Sequence, residues 1–534
     1  MDDRYVSASP AEDAIAGELG AVRPDLVPGF RAALPGARAA VLTRLWRGLA
    51  VDPLPWVVRR ETGAAGLTLE LAGGSRLRGP RADPYATAAY VTRVELDGRE
   101  FRQAGALIRA LGLPHGTGFA EELDHSTASL ALSRASAESR AARAGGSAPA
   151  GPAGSAGPVA QVAQVAGWEW EQRVVDGHPY HPNCRSRPGF SAAEQLAYAP
   201  EHGGVVELGL AAVPADGCLV TGAWPAALRD GDRVLIPVHP WQAGHVLKSP
   251  PDGPPGIAAH PLMSLRTLAP ADGAWPGGGP GPAPHVKTAL SSRLTSSVRD
   301  ISVYSVETAA AVSAFAQTLS ERLDGQLHFT RTLGAATALT PDLAAVLREA
   351  PEVYADADAG ERVVPVGALA STGLPCSPGW TDRFARLALS VCLRVLELGV
   401  ALEAHGQNLL VVLSASGEPL RLVYRDLADV RISPARLARH GLPVPPVAGR
   451  LVTDDETTLR RKLFGSLLAG ALGATTGSAA AFGEALAAAS GSLPDTPDTR
   501  ALLTAPLPTK ALTLMRLSVG VTGDQWTTLA NPLA

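Results

Sequence analysis

The segment Glu403–Asp426, EAHGQNLLVVLSASGEPLRLVYRD, sets a carboxylate, an imidazole, an amide and a second carboxylate around two short apolar runs. Carboxylate and amide oxygens are the hard donors Mg²⁺ prefers, and the phosphates of a bound nucleotide can complete its octahedron. Glu403, Asn408 and Asp426 are therefore candidate metal ligands, with His405 between them. Protein kinases use an analogous layout, an Asn followed by a strand pair and an Asp. The same residues also read as a helix cap, a hairpin and a surface ion pair.

Four further clusters carry cations and hydroxyls. In GHPYHPNCRSRPGF, residues 177–190, prolines fix the backbone and hold His178, His181, Arg185 and Arg187 in a rigid loop rather than a helix. Imidazole and guanidinium together suit an anion. Zinc is the weaker alternative, since no third ligand lies nearby, and a structural turn with exposed arginines is the plain one. IPVHPWQ sets His239, Trp241 and Gln242 at the end of a strand, equally a packed domain corner. MSLRT places Ser264 and Arg266 on one face of an extended segment, with Thr267 beside them. Hydroxyls next to a guanidinium make a phosphate-binding surface. In VKTALSSRLTSSVRD, Lys287 precedes Thr295 and Ser296, which would cap a helix starting near Val298 and offer backbone N–H groups to an anion, with Arg299 in its first turn. A solvated basic strand is the plain reading of that stretch. LPTKALTLMRL adds Lys510 and Arg516, six positions apart, which need not share a face on one helix.

These side chains need elements to hold them. Apolar residues at Phe384, Leu387, Val391, Val395, Leu398 and Leu402 recur at helical spacing, while Arg383, Arg386, Arg394 and Glu397 take the other face. That pattern predicts a core-packed helix delivering Glu403 and His405 at its end, where Gly406 would break it and redirect Asn408. LLVVL and LRLVY read as strands around the turn SASGEP, which returns Asp426 to its starting point. At 534 residues the chain exceeds one ordinary core, so two or three domains are expected. A 46% hydrophobic, 18% charged composition describes a soluble globular protein, and a net charge of -4 gives no basic footprint for nucleic acid. The opening MDDRYVSASPAEDAIAGELG is acidic and lacks an apolar signal core, and no apolar run suits a membrane span. Cys184, Cys218, Cys376 and Cys392 are scattered without CxxC spacing, which fits a reducing cytoplasm. Residues 133–161, small, polar and Pro/Gly-rich, read as a flexible linker, and Ala269–His285 as a long surface loop. Strand-like runs such as DRVLIPVH lie between these two stretches, and helices dominate after Ala368.

No GxxxxGK[ST], no GxGxxG after a strand, no HExxH and no GxSxG occurs, which disfavours P-loop ATPases, Rossmann oxidoreductases, zincins and α/β-hydrolases. Taken in order, GHPYHP with RSRPGF, VHPWQ, SLRT, the Lys287 to Arg299 stretch with its TSS, EAHGQN, YRD and KALTLMR resemble the IucA/IucC family, the aerobactin-synthetase-like siderophore synthetases that work without a nonribosomal peptide synthetase. The motifs span Gly177 to Arg516.

The resemblance implies an α+β, multidomain, cupped-hand architecture. A thumb would cover residues 1–165 and end in the linker, β-rich fingers residues 166–367, and a mostly helical, kinase-like palm residues 368–534. It implies an enzyme that adenylates a carboxylate of citrate, or of a related di- or tricarboxylic acid, with ATP. An amine, hydroxylamine or alcohol then captures the acyl group, releasing AMP. By matching position, Ser264, Arg266, Thr267, Lys287, Thr295, Ser296, Arg299, His405, Asn408 and Asp426 would contact ATP, and Glu403, Asn408 and Asp426 would hold Mg²⁺. Lys287, Arg299 and His405 would act at the reacting phosphate, and His178, His181, Arg187, Arg299 and Lys510 would receive the acid's carboxylates. The chemistry agrees, because bringing a carboxylate onto a phosphate needs cations and fixed positioning more than proton transfer. Arg185 stands where the family usually carries Lys, and EELDHSTASLALS matches the family's acidic stretch poorly. The competing readings are the same chemistry in a non-siderophore pathway, a kinase-like phosphotransferase lacking its Gly-rich loop and HRD, and a catalytically dead binding protein. The expected setting is cytoplasmic, with no nucleic-acid or membrane partner and a homodimer left open.

Overall fold

The computed structural model describes residues 7–143, 157–159, 162, 165–279, 281–295, 297–518, 520–521 and 523–533. Its longest apolar stripe behaves as its periodicity requires: Trp380–Leu398 is a helix whose Phe384, Val391, Val395 and Leu398 are buried while Arg383, Arg386 and Arg394 stay exposed. It stops earlier than expected. Gly399 ends it at φ 115°, where a Cβ would sit 2.9 Å from the Leu437 nitrogen. Val400–Ala401 then pairs with Arg431–Ile432, so Glu403 and His405 follow a short strand and not a helix end. Gly406 serves close packing instead, since a Cβ there would lie 2.7 Å from the Cα of Gly367, whose N–H donates to the Gly406 carbonyl.

The predicted hairpin forms, with Leu409–Leu413 antiparallel to Pro419–Tyr424. Arg362–Pro365 flanks it on one side and Leu327–Phe329 runs parallel to it on the other. Trp170, Trp380 and Phe384 share with this sheet a core that also takes in Phe329, Leu463 and Leu529.

A second sheet dominates the middle of the chain. Its nine strands are ordered Leu219–Gly222, Thr332–Thr337, Ala344–Arg348, His285–Thr288, Thr267–Pro270, Ile257–Pro261, Val206–Pro214, Arg233–Val238 and Arg229–Asp230, and each neighbouring pair is antiparallel. Register decides what its central strands present. Thr267 lies opposite Lys287, and His285 lies opposite Arg348. Strand alternation puts all four side chains on one face.

Helices Pro10–Val22, Val27–Val51, Ala104–Ala110 and Gly116–Arg143 pack with a five-stranded antiparallel sheet spanning residues 57–101 around a separate core. The last of these helices corrects the linker expectation, because residues 133–143 continue it with Ser133, Ala135 and Ser136 buried. The Ala- and Arg-rich composition that suggested a linker is also helix-favouring. The rest of the expected linker falls largely outside the described residues. Lys510 ends the strand Leu507–Lys510 and Arg516 sits on the separate helix Leu512–Leu517, so the two do not share a helix. That helix docks on the first half of the chain, where the Asp52 Oδ2 accepts from Thr513 N at 2.8 Å and Leu514 N at 3.1 Å.

No single described helix is long and apolar enough to cross a membrane. All four cysteines are free thiols.

Burial raises the Asp52 carboxyl from its ordinary 3.8 to about 6, against the two amides and Arg47. The folded state therefore holds this proton more tightly than the unfolded chain, so the group favours folding below pH 4 and that contribution is lost as pH climbs through about 6. Chemical denaturation of wild type and Asp52→Asn between pH 4 and 7 should show the variant gaining about 2–3 kcal/mol relative to wild type as pH rises. A pH-independent difference would disprove the assignment.

Candidate functional site

Asp426 meets the sheet face from the hairpin side. Its Oδ2 accepts from the Lys287 ammonium at 2.7 Å and its Oδ1 from Arg348 at 2.9 Å. It sits at φ 74°, a left-handed conformation that costs a non-glycine residue of order 1 kcal/mol. Burial alone would raise this carboxyl, but Arg348 and Lys287 overcome it and hold the group well below the usual carboxylate range. Burial in turn brings the Lys287 ammonium well below its ordinary value, with Asp426 opposing the shift, and the contact between the two is preformed.

The adjoining cleft, about 350 Å³, is lined by Thr267, His285, Arg348, Asn408 and Asp426 and by Thr330, whose hydroxyl is buried without a hydrogen-bond partner. A buried unpaired hydroxyl facing a cleft is a donor for a polar ligand. Ser264 also lines it, but not from a strand: Met263–Arg266 is a turn, Leu265 has φ 70°, and the Ser264 Oγ accepts from Thr267 N at 3.0 Å. The expected shared strand face of Ser264 and Arg266 is thus replaced by a tight turn. Arg266 reaches sideways and donates to the Arg299 carbonyl and to the Asp300 carbonyl, the latter at 2.7 Å. Burial and neighbouring Arg299 bring its guanidinium down to about 10, still a cation at neutral pH.

Thr295 does not cap a helix near Val298. Leu290–Leu294 and Ser297–Arg299 form a hairpin, with Thr295 at φ 56° in its turn, and the next helix begins at Val303. Arg299 curls back over the turn, donating to Leu294 O at 3.1 Å and Thr295 Oγ1 at 3.0 Å. Ser296 lies outside the described residues.

Glu403 anchors a second cationic group. Its Oε1 is 3.1 Å from both Lys462 and Lys510, and these lysines also pair with Asp429 and Asp524 respectively. Burial opposes ionisation, yet Lys510 and Lys462 keep the Glu403 carboxyl below the usual carboxylate range. Asn408 Nδ2 donates to the Glu403 carbonyl at 3.3 Å.

The two imidazoles of GHPYHP are neutral donors. His178 Nδ1 accepts from Tyr180 N at 3.2 Å and His181 N at 3.1 Å, and His181 Nδ1 accepts from Asn183 N at 3.0 Å. Burial, then the cations around Arg516, Arg299 and Lys510, lowers His181 to about 3. Burial, then His181 and His405, lowers His178 well below its ordinary value. With Nδ1 accepting, the proton of each neutral ring sits on Nε2. His405 is likewise lowered, first by burial, while Glu403 opposes the shift, and its Nδ1 accepts from Gln407 N. The GHPYHP loop, the hairpin over residues 290–299, the Glu403 loop and the strand Leu507–Lys510 thus act on one another electrostatically.

Arg187 does not join them. It is buried against the fully buried Glu201 at 2.5 Å, which also pairs with Arg185 and accepts from the Ser133 hydroxyl. Glu201 is shared between the two guanidinium groups, and the Arg187 Nη1 is buried without a hydrogen-bond partner. His239 is equally internal, capping Pro240–Gln242 through its Nδ1.

Sequence reasoning missed Arg348, Lys462, Thr330, Glu171 and Arg425. Strand register alone brings Arg348 to the site. Glu171 accepts from both terminal nitrogens of Arg425, at 2.7 and 2.9 Å, and from Met263 N at 2.9 Å. It also missed Glu122, in the poorly matched EELDHSTASLALS, which pairs with Arg516 and accepts from the Asn183 amide.

Among the described residues no three His, Cys, Asp or Glu side chains converge as a metal cage. Asp426 and Asn408 do share the cleft. One carboxylate and one amide is the sparse oxygen set Mg²⁺ takes when it keeps water and phosphate ligands.

The description IucA / IucC family matches residues 167–371, and the description Ferric iron reductase FhuF-like transporter matches residues 379–524. In the latter stretch Cys392 is the one cysteine and is buried, so no thiolate set for iron exists there. A Staphylococcus aureus (strain NCTC 8325 / PS 47) protein, 2-[(L-alanin-3-ylcarbamoyl)methyl]-3-(2-aminoethylcarbamoyl)-2-hydroxypropanoate synthase, is 24% identical over 55% of this chain and 58% of its own length. The chain spans little more than half of such curated relatives. The fold is that of two solved structures. ATP-bound aerobactin synthetase IucA from a hypervirulent pathotype of Klebsiella pneumoniae matches with TM-score 0.69 and 19% identity, over 93% of this chain and 99% of that one. Petrobactin biosynthesis protein AsbB from Bacillus anthracis str. Sterne matches with TM-score 0.73 and 16% identity, over 99% and 98%.

Calorimetric titration with pyrophosphate checks the charge geometry. Lys287→Met and Arg266→Met should each weaken binding about 10- to 100-fold, the worth of one charge-assisted hydrogen bond. Unchanged affinity in both would locate the anion site elsewhere.

Proposed function

We propose that this chain, which matches the description IucA / IucC family over residues 167–371, is an ATP-dependent acid–amine ligase of siderophore type, which adenylates a carboxylate of citrate or a related polycarboxylic acid and transfers the acyl group to an amine, hydroxylamine or alcohol. The observation that carries the reading is the convergence of Lys287, Arg348 and Arg266 with Asp426, next to the Glu403 group and the GHPYHP imidazoles. The Staphylococcus relative supports amide formation, since the name of its product contains two carbamoyl links on a hydroxy acid.

Lys287, Arg266 and Arg348 take the triphosphate and lower the repulsion that a carboxylate meets on approaching the α-phosphate. Asp426 and Asn408 are the residues that would hold Mg²⁺, which would supply Lewis-acid polarisation of the phosphate oxygens. Glu403 serves here as the counter-charge of Lys462 and Lys510 rather than as an unpaired ligand. His405, a neutral imidazole, donates from Nε2 to a phosphate or acyl oxygen. The remaining carboxylates of the acid meet His178, His181, Lys510 and Arg299. Attack on the α-phosphorus expels pyrophosphate, and a neutral amine then attacks the acyl carbon, losing a proton as AMP leaves. Thumb, fingers and palm, divided near residues 165 and 367, are the corresponding parts of the hand.

A panel of carboxylic acids with ATP, Mg²⁺ and hydroxylamine should yield a hydroxamate and AMP with citrate or a close relative. Formation of ADP would favour a phosphotransferase, and ATP binding without AMP from any acid would overturn the ligase reading. Asp426→Ala should lose at least about a hundredfold in turnover at saturating Mg²⁺. Undiminished turnover would contradict its role.

A further inference from the structure

Glu171 does not line the cleft, yet two segments of the site bond to it directly and a third through Arg425. It is 3% exposed, on the short helix Gly167–Gln172, and its partner Arg425 is 7% exposed. Its Oε2 fixes the start of the Met263–Arg266 turn through Met263 N. Arg425 in turn donates from Nε to Gln407 O at 2.9 Å, and its N–H donates to Asn408 O at 3.0 Å. Asp426 is the next residue. All five guanidinium N–H groups leave one side chain in a fixed fork, so a bidentate carboxylate sets its plane as well as its position.

We propose that Glu171 is a positioning residue for nucleotide binding: through Arg425 and Met263 it holds the Ser264–Thr267 turn, the Gln407–Asn408 loop and Asp426 in mutual register. The inference rests on the nucleotide half of the ligase reading and is independent of which acid reacts. The acid-facing imidazoles hang on a different support, since the GHPYHP loop is tied by Arg44 to His178 O and by Glu122 to Asn183. Loss of Glu171 therefore acts first on ATP and leaves the support of these imidazoles in place.

The variants grade the effect. Glu171→Ala removes all three bonds. Glu171→Gln, with its amide oxygen at the Oε2 position, keeps the bonds to Met263 N and Arg425 Nη2 and faces a donor only at Nη1. ATP affinity, titrated directly on the full chain in the absence of acid, should fall at least tenfold in Glu171→Ala and by an intermediate factor in Glu171→Gln, while citrate affinity stays within about threefold. A merely structural role would reduce the folded fraction and leave both affinities of the folded protein unchanged. That outcome, or an equal fall in both affinities, overturns the proposal. If Glu171→Ala does not fold, Arg425→Lys, which keeps the charge but not the fork, carries the same test with the same expected split. ATP binding by wild type without AMP formation from any acid would defeat the ligase reading and leave this inference standing. Absence of ATP binding by wild type would defeat both.

Discussion

The mutual repulsion of Lys287, Arg266, Arg348, Lys462 and Lys510 would push the centre of this molecule apart if carboxylates were not built in beside them. Asp426 neutralises Lys287 and Arg348, and Glu403 neutralises Lys462 and Lys510. The same device recurs one layer out, with Glu171 on Arg425, Glu201 on Arg185 and Arg187, and Glu122 on Arg516. Buried pairs of this kind add little net stability, because desolvation offsets their attraction. What they provide is a set of cations fixed in place before an anion arrives.

That arrangement gives the carboxylates two different jobs, separated by exposure. Glu201 is fully buried and Glu171 nearly so, and both serve geometry. Asp426 keeps 27% of its side-chain surface and Glu403 16%, so their oxygens can be shared with an incoming group. A polyanion entering the cleft competes with Asp426 for the same lysine and arginine. A divalent cation would relieve that competition, since it lets phosphate and carboxylate occupy neighbouring places.

Much of this was readable from the chain. The helix Trp380–Leu398 follows from its apolar period, and the strands Leu409–Leu413 and Pro419–Tyr424 from two apolar runs around SASGEP. The ordered motifs supplied the family. The failures share a physical cause. Leu265 and Thr295 adopt left-handed backbone conformations that their residue types disfavour, so local preference pointed to a strand and a helix cap where tertiary contacts impose turns. Arg187 and Arg266 look alike as isolated cations, and only Glu201, met through a distant part of the fold, shows that one of them faces inward. Arg348 and Glu171 belong to no motif because strand register and a pairing across 254 residues, neither visible locally, bring them into play.

The seam between Asp52 and the helix Leu512–Leu517 closes a loop of 461 residues, and Thr527 adds a second stitch to Val51 O. During synthesis at about 5–20 residues per second, the helix Val27–Val51 waits tens of seconds for that partner. Until then the surface that receives Leu514 and Leu517 is uncovered, and Lys510 has not reached Glu403. The nascent chain thus carries an incomplete cation set until residues 507–517 emerge, and that segment both shields the core of the first helices and completes the charge pattern of the site.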